Sequence, residues 1–340
     1  MAAPVLAGPV LVMGAGSIGC YLGGCLQAAG VPVNFVGRPR VLGDLRQHGL
    51  TLTDLDGGRA VLPPQTLALN ETPPAGAAPA LVLLCVKSSA TAEAAQALDV
   101  ALPAGTLVVS MQNGLSNAEV ARANAPGLRV LPGMVPFNVA ELAPGCFHRG
   151  TTGALAVQDD PLLAGWLNVF AAAGLPLTRQ EDLRPIQWGK LLLNLNNPVS
   201  ALSGLPLRAQ LLERDYRRCT AGLIEEALAV LQAAGIKPAR VTAAGPQRLP
   251  GLLRLPTPIF RLLAARMLRI DAQARSSMAD DLARGRQTEI DALCGEVLRL
   301  ARTQRVAAPL NSRMVDLVQA WPSNPQPLSG PRMRAALSGR

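Results

Sequence analysis

Three spaced glycines that follow a short apolar run constrain the fold of this chain most. Residues 9–13 read Pro-Val-Leu-Val-Met, a glycine-rich turn follows, and residues 20–29 read as a helix that Gly30 closes. In such a unit the first glycine permits a tight turn, the second lets backbone N–H groups approach a pyrophosphate, and the third allows close helix packing. The pattern favours dinucleotide binding over a flexible structural turn, with contacts from Gly14, Ala15, Gly16, Ser17, Ile18 and Gly19.

Further apolar runs predict a sheet of several strands. With alanine-rich helical stretches between some of them, strands are expected at residues 33–36, 81–86, 106–111, 130–134 and 154–157. Alternating strands and helices are typical of a parallel sheet with helices on its faces. After about residue 180 the apolar periodicity becomes helical. The sequence therefore predicts an α/β protein with a Rossmann-type domain at residues 1–182, an all-helical domain at 183–321 and a loose C-terminal tail at 322–340.

The composition excludes several kinds of partner and site. The formal net charge is +9, but the basic residues form no dense run and aromatic residues make up only 3% of the chain, which argues against nucleic-acid binding. Six cysteines without a Cys-x-x-Cys pair and only two histidines argue against a metal site. The uncharged first 37 residues lack a basic n-region and are interrupted by Gly and Pro, so no signal peptide or membrane span is expected. These features predict a soluble, cytoplasmic protein.

The end of the second predicted strand indicates which dinucleotide binds. An acidic residue there would accept hydrogen bonds from a ribose 2′-hydroxyl, but the chain reads Gly37-Arg38-Pro39-Arg40. The planar guanidinium of Arg38 suits a 2′-phosphate, so NADP(H) is favoured over NAD(H). The alternative is a solvated loop arginine.

Two more candidates follow predicted strands. Lys87 comes directly after the strand at 81–86, and Asn113 follows the strand at 106–111. Ligands of α/β proteins lie at the carboxyl ends of the strands. Lys87 is a candidate for cofactor phosphate or ribose and Asn113 for nicotinamide ribose or substrate, with ordinary turn residues as the alternative.

Lys190 is the candidate with the clearest chemistry. Lysine occurs only at 87, 190 and 237, and the other 29 of the 32 basic residues are arginine. An ammonium group can lose its proton in a tuned site, whereas a guanidinium cannot. On one helix, Lys190, Asn194 and Asn197 share a face among leucines while Asn196 points away. A kink is expected at Pro198, and a surface lysine on an amphipathic helix is the alternative.

Two polar residues further along the helical half are also candidates. Residues 276–282 read as a helix start with Asp280 at the N3 position of a capping box, and Glu289 precedes an apolar periodic face. Ser277 and Glu289 lie about 120° apart on an unbroken helix, so they serve one site only if Gly285 bends the chain or the site is wide. Capping and surface pairing are the alternatives.

Together these motifs resemble one family. The chain resembles the ketopantoate reductase (2-dehydropantoate 2-reductase) family from about residue 10 to 321, and the blocks that generic Rossmann proteins lack are Trp188-x-Lys190-x-x-x-Asn194 and Ser276-Ser277-Met278 followed by Thr288-Glu289-Ile290-Asp291. The resemblance implies NADPH-dependent reduction of a 2-oxo acid to a 2-hydroxy acid, in that family ketopantoate to pantoate on the route to pantothenate and coenzyme A.

The resemblance also implies a role for each candidate. Lys190 would donate the proton, and Asn113, Asn194, Asn197 and Ser277 would hold substrate. The residues at 14–19, Arg38, Lys87 and Asn113 would hold the cofactor, and Glu289 would help to close the site on the cofactor side.

The chain departs from the family pattern in ways that leave the substrate open. The second asparagine after Lys190 is usually at i+8 and here is Asn197 at i+7, and Ala274 and Leu207 stand where amide side chains are expected. Site amides govern discrimination between similar oxo acids. The alternatives are a reductase of a different 2-oxo acid or a related carbonyl or imine substrate, and a non-catalytic NADP-sensing protein. A homodimer through the leucine-rich surface at 249–263 is a further expectation.

Overall fold

The polypeptide alternates strands and helices up to Leu183 and is helical from Arg184 onward. A computed structural model describes residues 8–241, 244–265, 268, 274–323 and 325–339. The chain divides there into two compact units, Met1–Leu183 and Arg184–Arg340. Within the described residues no helix is long and apolar enough to cross a membrane.

The first unit is built from two sheets and five α-helices. Its strands are β1 (Val10–Met13), β2 (Val33–Val36), β3 (Leu50–Asp54), β4 (Arg59–Leu62), β5 (Ala68–Asn70), β6 (Leu81–Leu84), β7 (Leu107–Ser110), β8 (Arg129–Met134), β9 (Val139–Ala143), β10 (Cys146–Arg149), β11 (Leu155–Gln158) and β12 (Leu177–Gln180). Its helices are α1 (Ser17–Ala28), α2 (Pro39–His48), α3 (Thr91–Ala101), α4 (Asn117–Asn124) and α5 (Trp166–Ala172).

The larger sheet carries the core of this unit. Its eight strands run in the order β12-β11-β8-β7-β6-β1-β2-β5. Val10 and Val12 of β1 pack with α1 on one face, and Leu11 packs with α3 on the other. Strands covered on both faces are apolar throughout rather than alternating, which is why the sequence revealed them. The predicted α/β class is confirmed, with one correction: β11 extends the sheet as expected but runs antiparallel to β8.

The second sheet was not predicted. It has the order β4-β3-β10-β9 and packs against α1. Its strands are partly polar, since charged Arg149 ends β10 and reaches Asp54 of β3 at 3.2 Å. The guanidinium also lies over the rings of Tyr21 and Phe137, at 5.9 and 5.5 Å from their centroids. The strands pair far along the chain and carry mixed side chains, so no local apolar run marked them.

The second unit is helical. Its helices are α6 (Arg184–Asn194), α7 (Asn196–Ser203), α8 (Leu207–Leu212), α9 (Arg214–Ala233), α10 (Leu249–Arg254), α11 (Thr257–Leu263), α12 (Ser277–Ala283), α13 (Cys294–Gln304), α14 (Pro309–Ala320) and α15 (Gly330–Ser338). The long helix α9 packs against α7, α8, α10, α13, α14 and α15.

The expected loose tail at 322–340 is wrong for the residues of α15. Met333 and Leu337, one turn apart, are buried against the rest of the unit. Arg334 forms an ion pair with Asp215 at 2.6 Å, and the Tyr216 hydroxyl donates to the carbonyl of Leu328 at 2.9 Å. Flanking Pro, Ser and Gly residues hid this short apolar stripe in the sequence.

Arg217 of α9 is a fully buried guanidinium that holds helix ends together. It donates to the carbonyls of Leu211, Leu253 and Leu255 at 2.8 to 3.0 Å, and it stacks over Phe260 at 4.2 Å. These carbonyls lie at the C-terminal ends of α8 and α10, where a cation is favourable. Burial lowers the pKa of this guanidinium.

We expect Arg217→Met to reduce the free energy of unfolding by about 3 kcal/mol or more, because it leaves several buried carbonyls without a donor. Chemical denaturation of the full chain measures this. Arg218→Met at the exposed neighbouring position is the matched control and should cost far less. Equal losses in the two variants would show that the carbonyl contacts of Arg217 do not stabilise the unit.

Candidate active site

Close backbone contacts and hydrogen bonds fix the conformation of the glycine turn between β1 and α1. Gly14 has a φ of +109°, and a Cβ atom at this position would lie 2.6 Å from the backbone nitrogen of Val86. The N–H groups of Gly14 and Ala15 both donate to the carbonyl of Val36, at 2.9 and 2.8 Å. The role predicted for the first glycine, a turn that no other residue accommodates, is confirmed.

The other two glycines differ in the space beside them. A Cβ atom on Gly19 would collide with the carbonyl oxygen of Gly14 and lie 2.9 Å from Val12 Cγ1, which confirms that this glycine allows close packing. A Cβ atom on Gly16 would meet no atom within 4 Å, so the space beside the turn is open. Helix α1 begins at Ser17 without a side-chain cap, and N–H groups at the start of a helix are suited to binding an anion. These features fit a dinucleotide pyrophosphate.

Arg38, the candidate ligand for a 2′-phosphate, lies between β2 and α2. It follows Gly37 at the end of β2, precedes α2 and is exposed. Its neighbour Arg40 forms ion pairs with Asp44 at 3.0 Å and with Glu141 at 3.8 Å. Among the ion pairs of the described residues, none involves Arg38. Of the two arginines in this segment, Arg38 is therefore the one whose charge remains for a ligand.

Lys87 and Asn113 are brought together by the sheet. They follow the neighbouring parallel strands β6 and β7 and both are half-buried. The hydroxyl of Ser88 donates to the carbonyl of Asn113 at 3.3 Å, so the two loops touch. Sequence reasoning placed both residues at the ligand side of the sheet but did not identify the side chains that hold them.

In the second unit, Lys190 and the asparagines lie on two successive helices. Helix α6 ends at Asn194, Leu195 intervenes, and α7 begins at Asn196. The interruption fits the prediction of a kink, because Pro198 has no N–H to donate to the carbonyl of Asn194. The expectation that Lys190, Asn194 and Asn197 lie on one kinked helix is corrected in one respect: Asn197 belongs to a separate helix, α7.

Asn196, predicted to point away from the face of Lys190, is hydrogen-bonded to residues of α8 and α9. Its side chain hydrogen-bonds with Gln210 at 3.1 Å, and its Oδ1 accepts from the hydroxyl of Thr220 at 2.8 Å. These bonds fix the start of α7 against α8 and α9. Since Asn196 is used in this way, Asn194 and Asn197 are the asparagines of this segment that stay available for a ligand.

Lys190 and Glu289 form an electrostatic pair. Lys190 is half-buried between the buried residues Trp188, Gly189, Leu191 and Leu192. Burial lowers the pKa of its ammonium group to about 8, and the nearby carboxylate of Glu289 acts in the opposite direction. At this pKa the side chain can both hold and release a proton near neutral pH.

The start of α12 differs from the prediction by one residue. Ser276 is the N-cap and accepts from the N–H of Ala279 at 3.2 Å, so Asp280 is not the N3 residue of a capping box. The Ser276 hydroxyl also contacts the carbonyl of Asn197 at 3.4 Å. Because Ser276 takes the capping role, Ser277 is the exposed first residue of α12, one position from the contact with α7.

Gly285 redirects the chain after α12. It has a φ of +61°, and the N–H of Arg286 donates to the carbonyl of Asp281 at 2.8 Å. Ser277 and Glu289 therefore do not lie on one helix. The bend at Gly285, one of the two conditions under which Ser277 and Glu289 serve one site, is present, and Glu289 comes close to Lys190 after it.

The two positions that lack the expected amides also meet. The N–H of Leu207 donates to the carbonyl of Ala274 at 2.8 Å. Neither side chain offers a hydrogen-bonding group. The second unit thus brings together Lys190 with Glu289, and Asn197 with the start of α12, without an amide at positions 207 or 274.

Comparisons with known proteins agree along both units. Residues 10–161 match the family model Ketopantoate reductase PanE/ApbA, and residues 182–321 match Ketopantoate reductase PanE/ApbA C terminal. A 2-dehydropantoate 2-reductase from Halobacterium salinarum is 31% identical over 91% of this chain and 97% of its own length. One from Pyrococcus horikoshii is 28% identical over 92% and 96%.

A solved structure gives the same result. The PanE/ApbA family ketopantoate reductase from Ralstonia eutropha is 31% identical, covers 92% of this chain and 97% of its own, and has a TM-score of 0.76. The matching family models, the full-length relatives and this fold lead to one conclusion: the chain belongs to the ketopantoate reductase family.

Proposed function

We propose that this protein reduces 2-dehydropantoate (ketopantoate) to pantoate with NADPH, in pantothenate and coenzyme A biosynthesis. The observation that carries the proposal is Lys190, a lysine held among buried neighbours with a pKa near 8 beside Glu289, in a chain that matches ketopantoate reductases along both units. The family is an NADPH-dependent oxidoreductase family, and the protein is an enzyme of that class.

The first unit holds the cofactor in this proposal. The glycine turn at residues 14–19 receives the pyrophosphate through backbone N–H groups at the start of α1, Arg38 pairs with the 2′-phosphate, and Lys87 and Asn113 contact the phosphate or ribose groups. NADPH supplies the hydride when it is bound. The role of these residues is to orient the nicotinamide toward the ketone carbon of the substrate.

The second unit supplies the proton and holds the substrate. As the ketone carbon gains hydride, its oxygen gains negative charge, and the ammonium of Lys190 donates a proton to that oxygen to give the hydroxyl group. Asn194, Asn197 and Ser277 hydrogen-bond the substrate. Glu289 keeps the ammonium charged until the transfer and helps to close the site.

The comparisons do not favour the alternatives of another substrate or a non-catalytic NADP sensor. The missing amides at 207 and 274 nevertheless make substrate discrimination the part of the proposal to test first. NADPH oxidation by the full chain, followed by absorbance with a panel of 2-oxo acids, is the direct experiment. We expect the highest kcat/KM with ketopantoate, and no turnover of any member would refute the proposal.

Two predictions from the sequence are kept as proposals. A homodimer through residues 249–263 is supported by three exposed apolar side chains on one face of α11, namely Ile259, Leu262 and Leu263. Sedimentation velocity of the full chain separates monomer from dimer. The cytoplasmic location stays a prediction.

Lys190→Arg separates proton donation from charge. The guanidinium keeps the positive charge but cannot release a proton at neutral pH, so kcat should fall by roughly 100-fold or more while the fold and NADPH affinity persist. Steady-state kinetics and NADPH titration measure both. Lys237→Arg, at an exposed lysine, is the matched control and should behave like the wild type. Wild-type kcat in Lys190→Arg would mean that another group donates the proton.

The pH profile should report Lys190. The acid must be protonated, so kcat should fall about 10-fold per pH unit above about 8. Glu289 raises the pKa of Lys190, so Glu289→Gln should move the break in the profile to lower pH. Asp316→Asn, at an exposed carboxylate of α14, is the control and should leave the break in place. An unmoved break in Glu289→Gln would contradict the pairing of Glu289 with Lys190.

Cofactor choice should depend on Arg38. Arg38→Asp replaces a charge-assisted pair with repulsion, so NADPH binding should weaken by about 2 kcal/mol, roughly 30-fold in Kd. NADH has no 2′-phosphate and serves as the internal control, since its Kd should change much less. Fluorescence titration measures both constants. Equal weakening of the two cofactors would assign Arg38 to the fold instead.

A further inference from the structure

A chain of buried side-chain hydrogen bonds joins the loops that follow β6 and β7. We name it the loop network; its members are Ser88, Thr91, Ser110, Gln112 and Asn117. Thr91, Ser110, Gln112 and Asn117 are each at most 7% exposed. None of the five belongs to the residues placed against cofactor or substrate above. The network lies wholly within the first unit.

Gln112 is the branching point of the loop network. Its Oε1 accepts from the Ser110 hydroxyl at 2.9 Å, and its Nε2 donates to the carbonyl of Val86 at 2.9 Å and to Thr91 Oγ1 at 2.7 Å. Both amide hydrogens are therefore used. This amide crosses from the end of β7 to the loop after β6.

The other members of the loop network extend the hydrogen bonds to Ser88 after β6 and to Asn113 after β7. Thr91 Oγ1 donates to Asn117 Oδ1 at 3.0 Å, and Asn117 Nδ2 donates to Ser88 Oγ at 3.2 Å and to the carbonyl of Asn113 at 2.5 Å. Thr91 is the first residue of α3 and Asn117 the first residue of α4. The network thus ties the two helix starts to the two loops.

The direction of every bond in the network is determined. A hydroxyl has one hydrogen, and since Thr91 accepts from Gln112 it must give its own hydrogen to Asn117 Oδ1. Asn117 then has its two amide hydrogens for Ser88 and for the carbonyl of Asn113. Buried donors without acceptors are costly, so removing one hydroxyl disturbs the neighbours on both sides.

The bonds hold the backbone on either side of two proposed ligand residues. Lys87 stands between Val86, whose carbonyl accepts from Gln112, and Ser88, and its own carbonyl accepts from the N–H of Ala90 at 2.9 Å. The carbonyl of Asn113 accepts from both Asn117 and Ser88. The loop network therefore sets the spacing between the two strand-end loops.

We infer that Thr91, Gln112 and Asn117 are positioning residues for NADPH, acting through the backbones of Lys87 and Asn113. The inference rests on the proposed function, because it takes NADPH as the ligand at these strand ends. A small displacement of a positioning group is enough to weaken binding and slow the reaction. The residues do not touch the cofactor themselves.

Thr91 offers the sharpest test. Thr91→Val keeps the shape and removes the hydroxyl, so Gln112 and Asn117 each lose a partner, whereas Thr91→Ser keeps the hydroxyl. In Thr91→Val we expect the Kd for NADPH to rise roughly 10-fold and kcat to fall. Thr91→Ser should restore both to within about twofold of the wild type. Fluorescence titration at a temperature well below the unfolding midpoint, with the midpoint measured in parallel, gives the binding data.

A hydrogen bond elsewhere between the same helices is the matched control. Gln96 of α3 donates to Asn124 of α4 at 2.9 Å on the exposed side. Gln96→Ala should leave the Kd for NADPH unchanged. A second variant of the network, Gln112→Glu, removes both donors to Val86 and Thr91 and should reproduce the loss of affinity if Thr91→Val does not fold.

The outcomes separate the inference from the proposed function. A lowered unfolding midpoint with wild-type Kd and kcat in Thr91→Val and Gln112→Glu would show that the network only stabilises the fold, and would overturn the inference. A wild-type protein that binds NADPH but turns over no ketopantoate would refute the proposed function while leaving the binding comparison valid.

Discussion

The close approach of Gly14 to the loop after β6 is the constraint on which the site of the first unit depends. A side chain there would run into the backbone of Cys85 and Val86, and the N–H groups of Gly14 and Ala15 share the carbonyl of Val36. One turn therefore joins the ends of β1, β2 and β6. The start of α1, the Arg38 segment after β2 and the Lys87 loop after β6 take their spacing from it.

The sequence predicted those parts of the fold that are specified by residues close together in the chain. The strand, glycine turn and helix at residues 10–28 are specified by neighbouring residues, and the structure has them as predicted. The second sheet depends on partners far apart in the chain, since Thr53 of β3 lies beside His148 of β10. Its strands are too polar to be recognised alone, and α15 was hidden because only Met333 and Leu337 mark its buried side.

In the candidate site, too, the sequence identified the type of residue better than its exact position. The rarity of lysine and the leucines around Lys190 marked it from composition, and its lowered pKa follows from that burial. The kink at Pro198 was predicted, because proline lacks an N–H, but the capping by Ser276 rather than Ser277 was not. The Ser276 hydroxyl also contacts the carbonyl of Asn197 in α7, and spacing along the chain does not encode such a contact between helices.

Two opposing effects set the pKa of Lys190. Burial alone would drive the ammonium toward its neutral form, in which it could neither stabilise a developing alkoxide nor donate a proton. The carboxylate of Glu289 favours the charged form and so raises the pKa, and the two effects together leave the pKa of Lys190 at about 8. An arginine in the same place would satisfy the carboxylate but would remain charged through any reaction. The chain uses arginine for nearly all its other positive charges, so composition, burial and electrostatics together support our proposal that Lys190 transfers the proton.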